Sequence, residues 1–219
     1  MAHILITSGP TRQYLDPVRY LTNASSGRMG AALAEVSLTR GHQVTIVSGP
    51  VTIDYPSEAR VLSVTSTEEM LATCQDAFPE CDGVIGAAAP CDYRPQHVSS
   101  SKISKNGEPL TLQLVETLDA IATLAENRLP RQWVVGFALE TDDHRFRALA
   151  KLESKRCNLI VLNGASAIDS EVNEVEVLDS SGNTLGSFQG PKPLVARAIF
   201  NVVHRELLAP LLDPSSNNG

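Results

Sequence analysis

Six short apolar, β-branched runs recur along this chain: "HILIT", "HQVTIVSG", "ARVLSV", "DGVIGAAA", "QWVVGFAL" and "NLIVLN", with helical patterns between them. A strand that is apolar on both sides of its two-residue period needs cover on both faces. Helices between the runs supply that cover, so the pattern predicts an α/β fold with a doubly wound, mostly parallel, Rossmann-like sheet. With 219 residues, 42% of them hydrophobic, the chain can fill one ample core, and no interdomain linker or internal repeat is visible. A single domain is expected over residues 1–208, followed by a disordered tail at 209–219.

Local signals place several elements. Met29, Ala32, Leu33 and Val36 fall on one helical face, and Gly41 follows Arg40 as a stop signal. Ser66 with Glu69 three residues later reads as a capping box opening "STEEMLATCQDAF". The alternating "NEVEVLDSSGNTLGSFQG" predicts a C-terminal antiparallel hairpin turning at "SSGN". A last amphipathic stretch, "PLVARAIFNVVHRELL", is expected to close the domain as a helix.

The formal net charge of −7 argues against nucleic acid and membrane surfaces as partners, because phosphate backbones and anionic lipids select basic patches. An anionic ligand must therefore be met by local groups. Cys74, Cys81, Cys91 and Cys157 show no CxxC spacing and no histidine at metal-ligand distance, so neither a protein metal site nor a disulfide framework is expected. No apolar run approaches the roughly 20 residues of a membrane span. A reduced, cytoplasmic setting is the expectation.

Two long polar interruptions, residues 9–27 and 90–109, each follow a predicted strand end, where open α/β sheets place their ligands. They are expected to face each other across one crevice. The first is far longer than the two to six residues a strand-to-helix turn usually takes. It lacks the G-x-G-x-x-G turn of dinucleotide enzymes, and the second strand ends "VSGPV" without the acidic residue that would hold a ribose. What it carries instead is "NASSG" directly before a helix: Ser25, Ser26 and Gly27 offer hydroxyls and backbone N–H groups at a helix N-terminus, suited to a phosphate or carboxylate. Asp16 and Arg19 read as a turn with a surface ion pair.

The block "SGPTRQYLDPVRYLTNASSGRMG", followed in order by "VSGP", "GAAAPCDYRP", "SKISK", "VVGFALET" and "KLESKRCNLIVLN", resembles the phosphopantothenoylcysteine synthetase (phosphopantothenate-cysteine ligase) family. The resemblance runs from about His3 through the C-terminal hairpin. It implies a ligase that joins 4'-phosphopantothenate to cysteine, with CTP or ATP as co-substrate and Mg2+, through an acyl-nucleotide intermediate in coenzyme A biosynthesis. Such chemistry asks for oxyanion stabilisation more than for a protein nucleophile.

By that resemblance Asn23 contacts the activated acyl group, Arg19 lies near the same centre, and Lys102 is the first lysine of a mobile loop over the triphosphate. Ser104 stands where that loop has its middle lysine, and Lys105 remains. Ser25, Ser26 and Gly27 would hold the pantothenate phosphate. Ala88, Asp92, Asp119, Phe137, Lys151 and Lys155 would serve the nucleotide, with Lys151 and Lys155 at a spacing that shares one helix face. Leu118 occupies a position where the family has proline, and Pro90 and Cys91 replace the usual Val-Ala. Cys91 has no base beside it in the pattern and is expected to pack. The resemblance also implies a homodimer whose sites draw on both chains, and the C-terminal hairpin offers an edge for pairing. A stand-alone ligase domain is the expectation. The alternative is a nucleotide- or phosphate-binding module of the same fold with impaired catalysis, which the altered "KISK" and "ETLDAI" would favour.

Overall fold

The computed structural model of the chain describes residues 1–140, 152, 155–164 and 172–212. Its frame is an eight-stranded sheet. The first strand β1 (His3–Ser8) lies in the middle. On one side of it come β4 (Gln43–Ser48) and β5 (Arg60–Ser63); on the other come β6 (Gly83–Gly86), β9 (Trp133–Glu140) and β10 (Leu159–Gly164), all parallel. Beyond β10 the antiparallel pair β11 (Val172–Asp179) and β12 (Thr184–Pro191) completes the sheet. The doubly wound sheet with a C-terminal hairpin is therefore present as the sequence predicts. The order reverses between β1 and β6, the point at which such sheets open a crevice at their carboxyl ends.

Alternation along the strands builds two cores. Ile4 and Ile6 point to a cluster with Leu33 of α1 (Arg28–Thr39) and Ile199 and Phe200 of a C-terminal helix, Lys192–Val203, while Leu5 and Val47 point to a cluster with Met70, Cys74 and Leu124. These last three come from α2 (Thr67–Ala77) and α3 (Ala120–Glu126). Each face of the sheet is thus sealed by helices, which is what the unbroken apolar runs require.

The short-range signals act as expected. Ser66 accepts from the Glu69 amide and the Glu69 carboxylate accepts from the Ser66 amide, closing the capping box that opens α2. α1 ends in paired bonds, Gly41 N–H to Leu38 and His42 N–H to Ser37, which satisfy carbonyls the last turn leaves open. The turn between β11 and β12 is pinned by Asp179, whose carboxylate accepts from the Ser181 and Asn183 amides. The Asn183 side-chain amide, which donates to Oδ2 at 3.0 Å, and those backbone bonds together hold its carboxyl below the usual carboxylate range. Helical structure continues past Val203 through a wider turn, His204–Leu208, to Ala209–Leu212, so it runs past residue 208, where the tail is expected to begin. Leu208 is buried and anchors this extension; the wide turn lies just ahead of Pro210, which has no N–H to give a regular helix.

Candidate functional site

The first interruption folds into a small antiparallel ladder, β2 (Arg12–Tyr14) with β3 (Tyr20–Thr22), and the second is closed by another, β7 (Tyr93–Pro95) with β8 (Leu114–Glu116) just past its end. The interruptions meet directly. Ala89 N–H donates to the Gly9 carbonyl, Ser99 N–H donates to Leu15, and Asn23 donates through Nδ2 to the carbonyls of Ala89 (3.3 Å) and Pro90 (2.8 Å). The extra length of the first loop is spent on reaching the second.

Beneath this junction lies a buried hydroxyl network. The Cys91 amide donates to Thr11 Oγ1 at 2.8 Å, Thr11 and Thr67 share a hydroxyl contact of 2.9 Å, and the Cys91 carbonyl accepts from the hydroxyls of Thr67 (3.1 Å) and Thr117 (2.7 Å). Both backbone groups of Cys91 are thereby satisfied inside the protein, as a buried segment requires. Its thiol donates weakly towards the Thr11 and Leu21 carbonyls, and burial pushes the thiol pKa up. Cys91 is therefore a packed structural residue, as expected, and not an activated nucleophile.

Above this network a cleft of about 430 Å3 opens at the carboxyl ends of β1, β6 and β9. Asn23, Ala88, Asp92, Asp119, Phe137 and Lys155 all line it, brought together from five separate stretches of chain. Ala89 lines it too, and Met70 and Ile121 add apolar wall. At one side Asp119 does two jobs: Oδ1 accepts from the Ala122 amide as the N-cap of α3, and Oδ2 pairs with Lys155 Nζ at 2.8 Å. Burial works to raise the Asp119 pKa, but the lysine and the amide bonds outweigh it and leave the carboxyl below its ordinary value. Among the described residues the cleft thus holds one cation, Lys155, and two exposed carboxylates, Asp119 paired with that lysine and Asp92 apart from it.

Ser25, Ser26 and Gly27 do not line this cleft; they lead from its wall, at Ala24, into α1. Gly27 is the N-cap of α1 in a left-handed conformation (φ 75°), which glycine adopts without the Cβ penalty, and no side chain caps the helix. Ser8 Oγ donates to the Gly27 carbonyl at 3.1 Å and fixes the start of the helix to the end of β1. The first-turn N–H groups are left for a ligand or solvent.

Arg19 lies elsewhere. Its Nη1 donates to Asp16 Oδ2 at 2.9 Å and to the Ile103 carbonyl at 3.0 Å. The expected surface ion pair at this turn is only half exposed, because the Asp16 side chain is fully buried. Asp16 accepts from the amides of Val18, Arg19 and Ile103 as well. Burial favours a raised pKa here, yet those three amides and the guanidinium win, and the carboxyl sits below its usual value. Lys102, beside Ile103, is exposed, as is Lys105. Lys151 falls outside the described residues, and Lys155 stands in a turn.

The sequence reading missed Asp16 as an organiser, and it missed Thr11, Thr67 and Thr117. A threonine at the start of a helix looks like a helix-start residue, and nothing local reveals a partner 56 positions away. The buried Asp16 carried one signal: an Asx-type turn preceding an arginine. A larger concavity of about 1070 Å3 lies outside α1, lined by residues such as Arg28, Glu35, Tyr55 and Lys192, and takes in none of the site residues expected from the sequence. Among the described residues no three His, Cys, Asp or Glu side chains gather as a metal site, and no helix is long and apolar enough to cross a membrane.

Residues 1–207 match the model of the DNA/pantothenate metabolism flavoprotein C-terminal domain, DFP. The coenzyme A biosynthesis bifunctional protein CoaBC of Vibrio vulnificus (strain CMCP6) is 37% identical over 205 residues, covering 91% of this chain and 50% of that protein. A cysteine/cysteine sulfinic acid decarboxylase from an unknown prokaryotic organism is 40% identical over 185 residues, 82% of this chain and 52% of its own. The chain spans about half the length of these curated relatives. A crystal structure of the C-terminal domain of a bifunctional CoaBC superposes with a TM-score of 0.79 at 34% identity, covering 95% of this chain and 96% of that one.

Proposed function

This chain belongs to the DNA/pantothenate metabolism flavoprotein C-terminal domain family, and from that membership we propose that it is the ligase that joins 4'-phosphopantothenate to cysteine in coenzyme A biosynthesis. The observation that carries the reading is the cleft in which Asn23, Ala88, Asp92, Asp119, Phe137 and Lys155 converge. These are residues the ligase resemblance assigns to the acyl group and the nucleotide.

In the first step the pantothenate carboxylate attacks the α-phosphate of CTP or ATP, forming an acyl-phosphate bond and releasing pyrophosphate. In the second the cysteine amine attacks the acyl carbon, an amide bond forms, and nucleoside monophosphate and a proton leave. Asn23 suits both steps. Its amide donors now bonded to the Ala89 and Pro90 carbonyls can turn to an acyl oxygen without adding charge. The uncapped start of α1, with Ser25, Ser26 and Gly27, suits the substrate's own phosphate. Lys155, oriented by Asp119, suits a nucleotide phosphate, and Phe137 offers an apolar wall to the nucleoside. Lys102 brings its charge to the departing pyrophosphate from the neighbouring loop.

Magnesium binds with few protein carboxylates when phosphates supply the remaining oxygens. Asp92, exposed in the cleft, fits that part. The ion would neutralise triphosphate charge.

The active unit in this reading is a homodimer. Tyr14, Tyr20, Tyr93 and Leu114 stand exposed on the two small ladders, a grouping of apolar side chains suited to a second copy. Neither Arg19 nor Lys102 lines its own chain's cleft, so a partner loop has room to act there.

The test is release of pyrophosphate with phosphopantothenate, magnesium and either CTP or ATP, with and without cysteine. A cysteine-dependent amide product with one nucleotide is expected. Nucleotide binding with no product would establish the impaired binding module instead. Mixing impaired Asn23→Ala chains with impaired Lys102→Ala chains tests the shared site. Recovery of about a quarter to a half of wild-type activity is expected for random exchange in a symmetric dimer; no recovery despite exchange, or a monomer by light scattering, rejects it.

A further inference from the structure

Both backbone groups of Ile103 are gripped by one ion pair: its N–H donates to Asp16 Oδ2 at 3.1 Å, and its carbonyl accepts from Arg19 Nη1 at 3.0 Å. The pair closes on itself through the 2.9 Å bond between Arg19 Nη1 and Asp16 Oδ2. Asp16 is in turn locked by the Val18 and Arg19 amides at 2.8 Å each, and a second stitch, Ser99 N–H to the Leu15 carbonyl at 2.9 Å, lies four residues upstream. Downstream of Ile103 the chain is exposed from Ser104 to Leu114. The clasp is therefore the last firm hold on the loop before its free stretch, and Lys102 is the residue next to it.

A lysine on a loose loop spreads its charge over many positions, and ordering it on demand costs conformational entropy for every backbone residue fixed. Anchoring the adjacent peptide in advance removes part of that cost. The choice of an ion pair suits the task, since a carboxylate accepts the N–H while a guanidinium nitrogen with two hydrogens serves the carbonyl and the carboxylate together. The side chain of Asp16 is fully buried and that of Arg19 is 39% exposed, so the pair is shielded on one side from competition by water.

We propose that Asp16 and Arg19 are positioning residues that act through Lys102: they clamp the Ile103 peptide so that the Lys102 charge is presented at a fixed place, and Arg19 does its work on the loop and not on the substrate. This rests on the reading of Lys102 as the residue that meets the departing pyrophosphate. It departs from the resemblance, which puts Arg19 beside the reacting acyl group.

The clamp is tested by a double-mutant cycle on the full chain, because a residue that acts only through another loses its effect when that other is removed. Asp16→Asn keeps the volume but turns an amide donor or a weaker acceptor towards Ile103 and Arg19. It is expected to lower kcat at least fivefold in the wild-type background and less than twofold in the Lys102→Ala background, with nucleotide KM shifted less than kcat. Arg19→Met, at a half-exposed position, is expected to follow the same pattern and serves if Asp16→Asn fails to fold. Amide hydrogen exchange at Ile103 should speed up at least tenfold in either variant, while the amides of β1 keep their protection. Equal fold-losses in both backgrounds, or unchanged exchange at Ile103, overturn the clamp. Should Lys102→Ala alone leave turnover unchanged, the reading of Lys102 is lost and the clamp with it. That result is distinct, because it shows in a single variant with Asp16 and Arg19 intact.

Discussion

Residues 87–92 and residues 99–105 are neighbouring loops at the same end of the sheet, and they are held in opposite ways. The first is sunk into the protein: Cys91 is buried, both its backbone groups end on threonine hydroxyls, and its flank is bridged to Gly9 and Pro10. The second is almost wholly exposed and hangs from one ion pair and one amide bond. The first suits a floor that holds atoms in fixed places; the second suits a charge that must follow phosphate oxygens as they separate. The contrast separates precision from reach, which one loop cannot supply together.

The largest effect should come from attacking the floor's foundation. Gly49 approaches the first loop so closely that a Cβ there would lie 1.6 Å from the Pro10 carbonyl oxygen. Gly49→Ala must push backbone against backbone beside Thr11, and a loss of about 3 kcal/mol or more in urea unfolding is expected, at the upper end of overpacking costs. A loss under about 1 kcal/mol would show that the floor yields, and the comparison would break.

Next comes the exposed loop. Lys102→Ala should cost more than tenfold in kcat, roughly 1.4 kcal/mol of transition-state stabilisation, while the urea midpoint stays near wild type because the side chain is exposed. A large fall in stability would mean that Lys102 belongs to the folded frame after all.

Asn23 joins the two regimes, since it bonds to the floor and faces the cleft. Asn23→Asp should be several-fold slower than Asn23→Ala, because both lose the donors to the Ala89 and Pro90 carbonyls but only the carboxylate repels those oxygens and an incoming phosphate. Equal and mild effects in the steady-state assay would leave Asn23 as a mere strut between the loops.

The smallest effect is a pH dependence. Asp16 has its carboxyl pKa depressed in the folded protein, so its contribution is complete above the unfolded value of about 3.9 and is lost as pH falls through the lower folded value. The gap in urea midpoint between wild type and Asp16→Asn should therefore be constant from pH 7 to about 5 and shrink below about 4. A gap that stays constant down to the acid limit would show that the carboxylate charge does nothing for the clamp.

Much of this architecture was readable from the chain alone. The strands were visible because burial on both faces demands unbroken apolar runs, as in Ile4, Leu5 and Ile6. The Ser66–Glu69 box and the "SSGN" turn were visible because each is complete within four residues. The cleft residues Asn23, Asp92, Asp119 and Lys155 were nameable only through resemblance, since no spacing rule connects them. Asp16 was misjudged as a surface partner although it is buried, because one of the amides that hold it, Ile103, lies 87 positions away.

The division follows the range of the forces involved. Periodicity, caps and turns are settled between residues a few positions apart, so the amino-acid order determined the layered fold, its hairpin and the places where loops interrupt it. Which hydroxyl meets which amide, where Arg19 spends its donors, and that Asn23 reaches the carbonyls of residues 89 and 90 depend on long-range packing. Sheet order alone brings the ends of β1 and β6 side by side, and until it does the two loops have no common space in which to divide the work.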